Sequence, residues 1–150
     1  MANTLIPAFD SSGLLPVGVH AADWSEVEAR FGTNAHRQWL LTGMKRALIA
    51  LQLAGCLAVY VDGSFVTAKS LPGDYDLCWG TTGVDPSLLD PVFLTFDDGR
   101  RAMKAKYLGD LFPAEVPEGI SGRRFVDFFQ IDKDTGNSKG IVLIDLRRLS

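Results

Sequence analysis

The chain is 150 residues long, 47% hydrophobic and 22% charged, with a formal net charge of −3. That size and apolar share fit one well-buried domain over residues 1–150 and are short for two. The acidic balance argues against a protein that grips nucleic acid through a broad basic face, and leaves a small molecule or another protein as the natural partner.

The start, M-A-N-T-L-I-P, has no basic region followed by an apolar core, so the cytoplasm is the expected location. The longest apolar stretch, residues 47–61, is broken by Gln52 and Gly55 and falls short of the ~20 residues of a membrane span. Cys56 and Cys78 each lie in or beside an apolar run with no nearby Cys or His partner, and read as free thiols that behave as small hydrophobes.

Residues 1–19 carry Pro7, Gly13, Pro16 and Gly18, which break any period and predict an extended N-terminal arm lying against the domain. Trp24, Val27 and Phe31 are at helical spacing, so a short helix is expected over residues 22–31, ending at Gly32. Asn34 can cap a longer helix whose apolar stripe is Leu40, Leu41, Met44, Ala47, Leu48 and Leu51, with Arg37, Lys45 and Arg46 outside the stripe. Gly55 is placed to end it and a strand over residues 56–62 follows, so this helix should cover one face of the sheet and leave the other open. His36 and His20 read as surface residues rather than catalytic bases.

The stretch V-Y-V-D-G-S-F-V-T-A-K-S-L-P-G-D-Y-D-L, from Val59 to Leu77, carries the most chemistry. A β-rich run stops at Gly63-Ser64, and after the turn-former Pro72-Gly73 a second opens with Asp74-Tyr75-Asp76. Side chains two apart on a strand share a face, so Asp74 and Asp76 point one way while Tyr75 and Leu77 point the other. Two such carboxylates about 4 Å apart would repel by roughly 4 kcal/mol at an effective dielectric near 20, a cost that a cation between them removes. Aspartate oxygens are hard ligands suited to Mg²⁺, which keeps positions for substrate phosphates. Gly63 lets backbone N–H groups approach a phosphate closely, and Ser64 adds a hydroxyl donor.

Further on, Val92-Phe93-Leu94 is a candidate strand. In the helical stretch G-R-R-A-M-K-A-K-Y-L, Arg100 and Lys104 are four apart on one face, a face that suits either a triphosphate or plain solvent. Residues 125–130 and 141–146 read as two strands of a hairpin joined by D-K-D-T-G-N-S-K-G. The aspartic-protease triplet Asp134-Thr135-Gly136 lies among Lys133, Asn137 and Ser138 and reads as the tip of that hairpin.

Gly-Ser, a spacer of about ten residues and Asp-x-Asp at a strand start resemble the signature of the DNA polymerase β-like nucleotidyltransferase superfamily, especially its minimal bacterial members. With L-L-P-V-G-V-H, R-F-G, G-S-F-V-T-A-K and D-F-F-Q-I-D-K, the whole chain is similar to an uncharacterised bacterial group within it. The resemblance implies an α/β (α+β) fold, a mixed β-sheet with helices packed on one face. It also implies two Mg²⁺ ions held by three carboxylates that are also the catalytic residues: Asp74, Asp76 and a third from a hydrophobic run. Asp127, among Phe125, Val126, Phe128 and Phe129, ranks first for that third place, ahead of Asp145 and Asp132. Gly63 and Ser64 would contact the nucleotide, joined by Lys104 and by Lys69, the latter substituting for the arginine that minimal enzymes often carry soon after Gly-Ser, where this chain has Phe65-Val66-Thr67. The implied activity moves a nucleoside monophosphate from a nucleoside triphosphate, ATP foremost, to a hydroxyl of a protein or small molecule, releasing pyrophosphate. The alternative is a non-catalytic module of the same fold, such as an antitoxin or immunity partner.

Overall fold

The computed structural model describes residues 6–149. In chain order its regular elements are strand β1 (Val19–Ala21), helices α1 (Trp24–Phe31) and α2 (Ala35–Leu53), strands β2 (Ala58–Asp62) and β3 (Tyr75–Trp79), helix α3 (Asp97–Tyr107), strand β4 (Gly109–Pro113), helix α4 (Phe125–Phe128) and strand β5 (Ile141–Asp145). The strands form one mixed sheet in the order β1-β5-β2-β3-β4, parallel between β1 and β5 and between β3 and β4, antiparallel elsewhere. The fold is α+β.

Asn34 opens α2 as its sequence implies, in extended backbone with its side-chain oxygen accepting the N–H of Arg37 at 2.8 Å. The stripe Leu40, Met44, Ala47, Leu48 and Leu51 is fully buried, and it shares one core with Val59 and Val61 of β2, Leu77 of β3, Leu111 of β4 and Val142 and Ile144 of β5. Strand alternation sends the intervening residues to the opposite face. There Cys78, Phe112 and Ile141 form a second, smaller core with Val126 of α4. Gly43 is where α2 crosses the end of α3: a Cβ on it would stand 2.3 Å from the Tyr107 carbonyl oxygen, so only glycine allows that approach. The arm packs down as its composition implies, with Ile6 and Leu15 buried and Arg30 donating to the carbonyls of Ile6 and Pro7. Its first five residues lie outside the described part of the chain.

Three expectations are corrected. Residues 125–130 are not a strand: Phe125–Phe128 is a helical turn, and β5 pairs with β1 and β2 instead. Apolar residues at 125, 126, 128 and 129 satisfy both periods, and packing decides, because Phe125, Val126 and Phe129 reach the second core only at helical spacing. What remains of the expected hairpin is a single bridge between Ile131 and Ser138, with Asp134-Thr135-Gly136 in the turn it closes. Residues 92–94 form a 3₁₀ turn, Pro91–Leu94, begun by proline and capped by Asp90 at the Val92 N–H.

The third correction concerns Arg37. It is 3% exposed, inside the protein rather than outside the apolar stripe. Its guanidinium donates to the carbonyls of Phe31 and Phe65 at 3.2 and 2.7 Å and of Thr67 and Lys69 at 2.9 and 2.5 Å, and it lies over the Phe65 ring. A buried cation is tolerated when its donors are satisfied, and here backbone oxygens of the segment between β2 and β3 do that. Replacing Arg37 by Met keeps the stem but strips four carbonyls of their donor, which at the cost of buried unpaired groups destabilises by at least about 3 kcal/mol. Urea unfolding of Arg37→Met should show that loss; a midpoint within error of wild type contradicts the role.

Candidate metal centre

Asp76 lies on β3 and Asp74 just ahead of it, on the same face by alternation. β4 runs parallel to β3, and its register sets Asp110 beside Asp76. One carboxylate oxygen from each of Asp74, Asp76 and Asp110 lies within 4.8 Å of the other two, the one such group of acidic, cysteine or histidine side chains among the described residues. Like charges at that spacing repel by roughly 3.5 kcal/mol per pair at an effective dielectric near 20.

Two cations from α3 offset this repulsion. Arg100 Nε is 2.7 Å from Asp110, and Lys104 Nζ is 3.7 Å from both Asp74 and Asp110. They serve the carboxylates, which neither expectation for this basic face included. Asp98, Gly99 and Arg100 adopt left-handed backbone with φ of 51°, 63° and 65°, which makes the entry to α3 an irregular turn.

Gly63 closes the third side. At φ +74° it occupies the left-handed region, and a Cβ on it would stand 2.0 Å from Asp76 Oδ2. The Gly-Ser turn and Asp76 are therefore in direct contact, as the antiparallel pairing of Asp62 with Asp76 requires. Asp62 is wholly buried on the same face: its Oδ2 accepts the Cys78 thiol at 3.5 Å, and its Oδ1 has no partner.

Burial raises the pKa of all three carboxyls on β2 and β3, with neighbouring aspartates adding to it. Asp62 is pushed well above the carboxylate range by burial and then by the neighbouring Asp76, which favours its protonated form. Asp76 is raised to about 7 by burial, then by Asp74 and Asp110. Asp74, more open, is raised by burial and by Asp110, against the opposing pull of Lys104. Hard oxygen donors converging where they cannot all carry charge unaided fit a divalent cation.

The carboxylates, Gly63, Ser64 and Lys69 line one cleft of about 1160 Å³. Lys104 stands beside it through its contacts to Asp74 and Asp110. Asp127, ranked first by sequence for the third carboxylate, is outside the group: on α4 it accepts from Arg124 Nε at 2.7 Å, three residues earlier on the same turn. Asp145 is bound by Arg147 at the end of β5, which with the Arg147 N–H lowers its pKa. Asp132 borders the cleft but caps the turn at Thr135. His36 reaches the Pro72 carbonyl at 2.5 Å and His20 that of Pro16 at 2.7 Å, both away from the carboxylates. Cys56 and Cys78 are buried and free. The missed residue, Asp110, had the same signal that favoured Asp127, a lone aspartate against an apolar run, Leu111-Phe112.

A mixed sheet with its main helix layer on one face, and an acidic cleft beside the short α4 on the other, defines an α+β protein with a candidate cation centre. The chain belongs to the family described as DUF6932, a family of unknown function, whose model matches residues 7–145. No curated protein and no solved structure matches it. Among the described residues no helix is long and apolar enough to cross a membrane.

The raised carboxyl groups make stability depend on pH in a definite direction. Between the ordinary aspartate pKa of 3.8 and about 7, the folded protein keeps a proton on Asp76 that the unfolded chain has released, so metal-free stability falls as pH rises through that window. A shift of that size corresponds to a loss on the order of 4 kcal/mol. Asp62 and Asp74 contribute with the same sign. Metal-free protein at about pH 4.5, inside that window, should have a higher denaturant midpoint than at about pH 7.5, above it, and Asp76→Asn should flatten the difference and raise stability at the higher pH. A midpoint that rises with pH in wild type overturns the charge assignment.

Proposed function

We propose that the protein is a metal-dependent nucleotidyltransferase that moves a nucleoside monophosphate from a nucleoside triphosphate to a hydroxyl of a small-molecule or protein acceptor. The observation that carries the reading is the convergence of Asp74, Asp76 and Asp110 beside the Gly63-Ser64 turn in a single cleft. The donor set fits Mg²⁺, with Asp74, Asp76 and Asp110 as its holders. Bound there, Mg²⁺ would supply Lewis acidity to the α-phosphate and lower the pKa of the acceptor hydroxyl.

The chain's own residues have distinct parts. Gly63 and Ser64 present backbone N–H groups and a hydroxyl to the outer phosphates, with Lys69 as a cation along the same wall. Arg100 and Lys104 neutralise carboxylates until a cation replaces them, and are then free to meet phosphate oxygens. The acceptor oxygen forms its bond to the α-phosphorus as the bond from that phosphorus to the bridging oxygen breaks, and pyrophosphate carries away the electron pair. Asp110, almost buried and released by Arg100 once the cation is bound, is the carboxylate that takes the acceptor's proton.

Two measurements test this. Mg²⁺ with a nucleoside triphosphate should raise the unfolding midpoint, by roughly 2.7 kcal/mol of stabilisation at 100 times the Kd, and label from the α-phosphate should reach an acceptor while γ-label leaves as pyrophosphate. Asp110→Asn should lower transfer by at least ~100-fold, the scale of a lost general base, while Asp127→Asn keeps most of it. Gamma-label on the acceptor would replace nucleotidyl by phosphoryl transfer; binding without transfer to any acceptor in the native lysate would favour the non-catalytic module.

A further inference from the structure

The carboxylate cleft continues onto a wall of phenylalanines. Phe112 follows Asp110 on the same face of β4, two residues on. Phe125 stacks on it at 4.5 Å and 12°, Phe129 at 5.5 Å and 29°, and Phe96 lies parallel to it at 6.1 Å and 5°. All four line the cleft with Phe128, whose ring meets Phe129 edge-on. Phe112 is nearly buried, yet Phe125, Phe128 and Phe129 are only partly covered and Phe96 is 40% exposed. A cluster serving the core alone would close over itself. This one is packed on one side by Val126 and Cys78 and open to the cleft on the other.

The two halves of the cleft ask for one molecule with two characters. Near the carboxylates it has cations, Lys69, Arg100 and Lys139, suited to an anionic chain. Along the phenylalanines it offers ring faces, suited to a flat aromatic group that gains from stacking and needs no hydrogen bond from the wall. Arg100 joins the halves: its Nε holds Asp110 and its guanidinium lies 5.4 Å over the Phe112 ring.

We infer that the phenylalanine wall formed by Phe96, Phe112, Phe125 and Phe129 is the nucleobase subsite of this cleft, taking the ring of a nucleotide whose phosphates lie toward Gly63-Ser64. The inference rests on the nucleotide reading above and adds where the base sits and what holds it. Stacking accepts every base, since each has a π-face, so this wall supplies affinity for a nucleoside more than choice among bases.

Inorganic tripolyphosphate separates the two claims, because it carries the anionic chain without the ring. In calorimetric titrations with Mg²⁺, wild type should bind ATP at least about tenfold more tightly than tripolyphosphate, the lower range of one stacked base. Phe129→Leu, which keeps an apolar side chain, and Phe96→Ala, at an exposed position that threatens the fold least, should each weaken ATP by about tenfold and leave tripolyphosphate unchanged. Unfolding midpoints without ligand identify any variant that is not folded. Tripolyphosphate bound as tightly as ATP, or ATP affinity unchanged in the folded variants, overturns the base subsite while sparing the metal and phosphate site. If neither probe binds, the nucleotide reading falls and takes this inference with it.

Discussion

The geometry of the cleft depends on Arg37. Its guanidinium gathers carbonyls from Phe65, Thr67 and Lys69, all within the segment that links β2 to β3, and ties them to the Phe31 carbonyl at the end of α1. That segment contains no regular strand or long helix, so its backbone oxygens would otherwise need water that the core excludes. Phe65 and Val66 can be buried because Arg37 satisfies the chain beside them. One side chain thereby fixes the position of Gly63-Ser64 relative to Asp74 and Asp76. The loop's own N–H groups add to that hold, Thr67 donating to the Ser64 carbonyl, Ala68 to that of Gly13 and Lys69 to the Thr67 hydroxyl.

The carboxylates pose the complementary constraint, since stability and site chemistry pull against each other there. Three aspartates meet on adjacent strands and a fourth, Asp62, is buried behind them. The protein offsets this by favouring the protonated form of the buried Asp62 and by aiming Arg100 and Lys104 at Asp110 and Asp74. These cations come from α3, which packs on the β3 to β4 side, so the same helix that closes the parallel crossover supplies the charge that the crossover brings together. Like charges held together beside a cleft, at a cost to stability, are what mark this place as the candidate site.

Sequence and structure agree where one signal dominated. The Asn34 cap and apolar stripe of α2 are long and periodic, and the β2–β3 pairing follows from two β-rich runs with a Pro-Gly turn between them. Asp74, Asp76, Gly63 and Ser64 were brought together by that pairing alone. The sequence failed where two periods fit equally, as at residues 125–129, and where an element was too short to show any period, as with the five residues of β4. Those failures shared one consequence. With α4 read as a strand and β4 unseen, Asp127 was ranked third where the structure instead brings Asp110 beside Asp74 and Asp76, because choosing a third carboxylate requires knowing which strand lies beside β3. Arg37 was misplaced for a different reason: a charged residue beside an apolar stripe looks exposed until the carbonyls that receive it are known.

Polar chemistry and aromatic stacking are adjacent in this cleft because of strand geometry. On the face opposite α2, Asp76 is followed by Cys78 on β3, and Asp110 by Phe112 on β4, with about 6.6 Å between successive same-face Cα atoms. Each strand thus changes from carboxylate to apolar within one same-face step, and the parallel register aligns the two changes side by side. On β2 the order is Tyr60 then Asp62, and because that strand runs antiparallel to β3 its aspartate pairs with Asp76 and its tyrosine with Cys78. Three strands therefore draw a single boundary across the sheet, acidic on one side and apolar on the other, and α4 settles on the apolar side because Val126 finds Cys78, Phe112 and Ala114 there. The short helix builds the aromatic wall, but the sheet decides where the wall stands relative to the carboxylates.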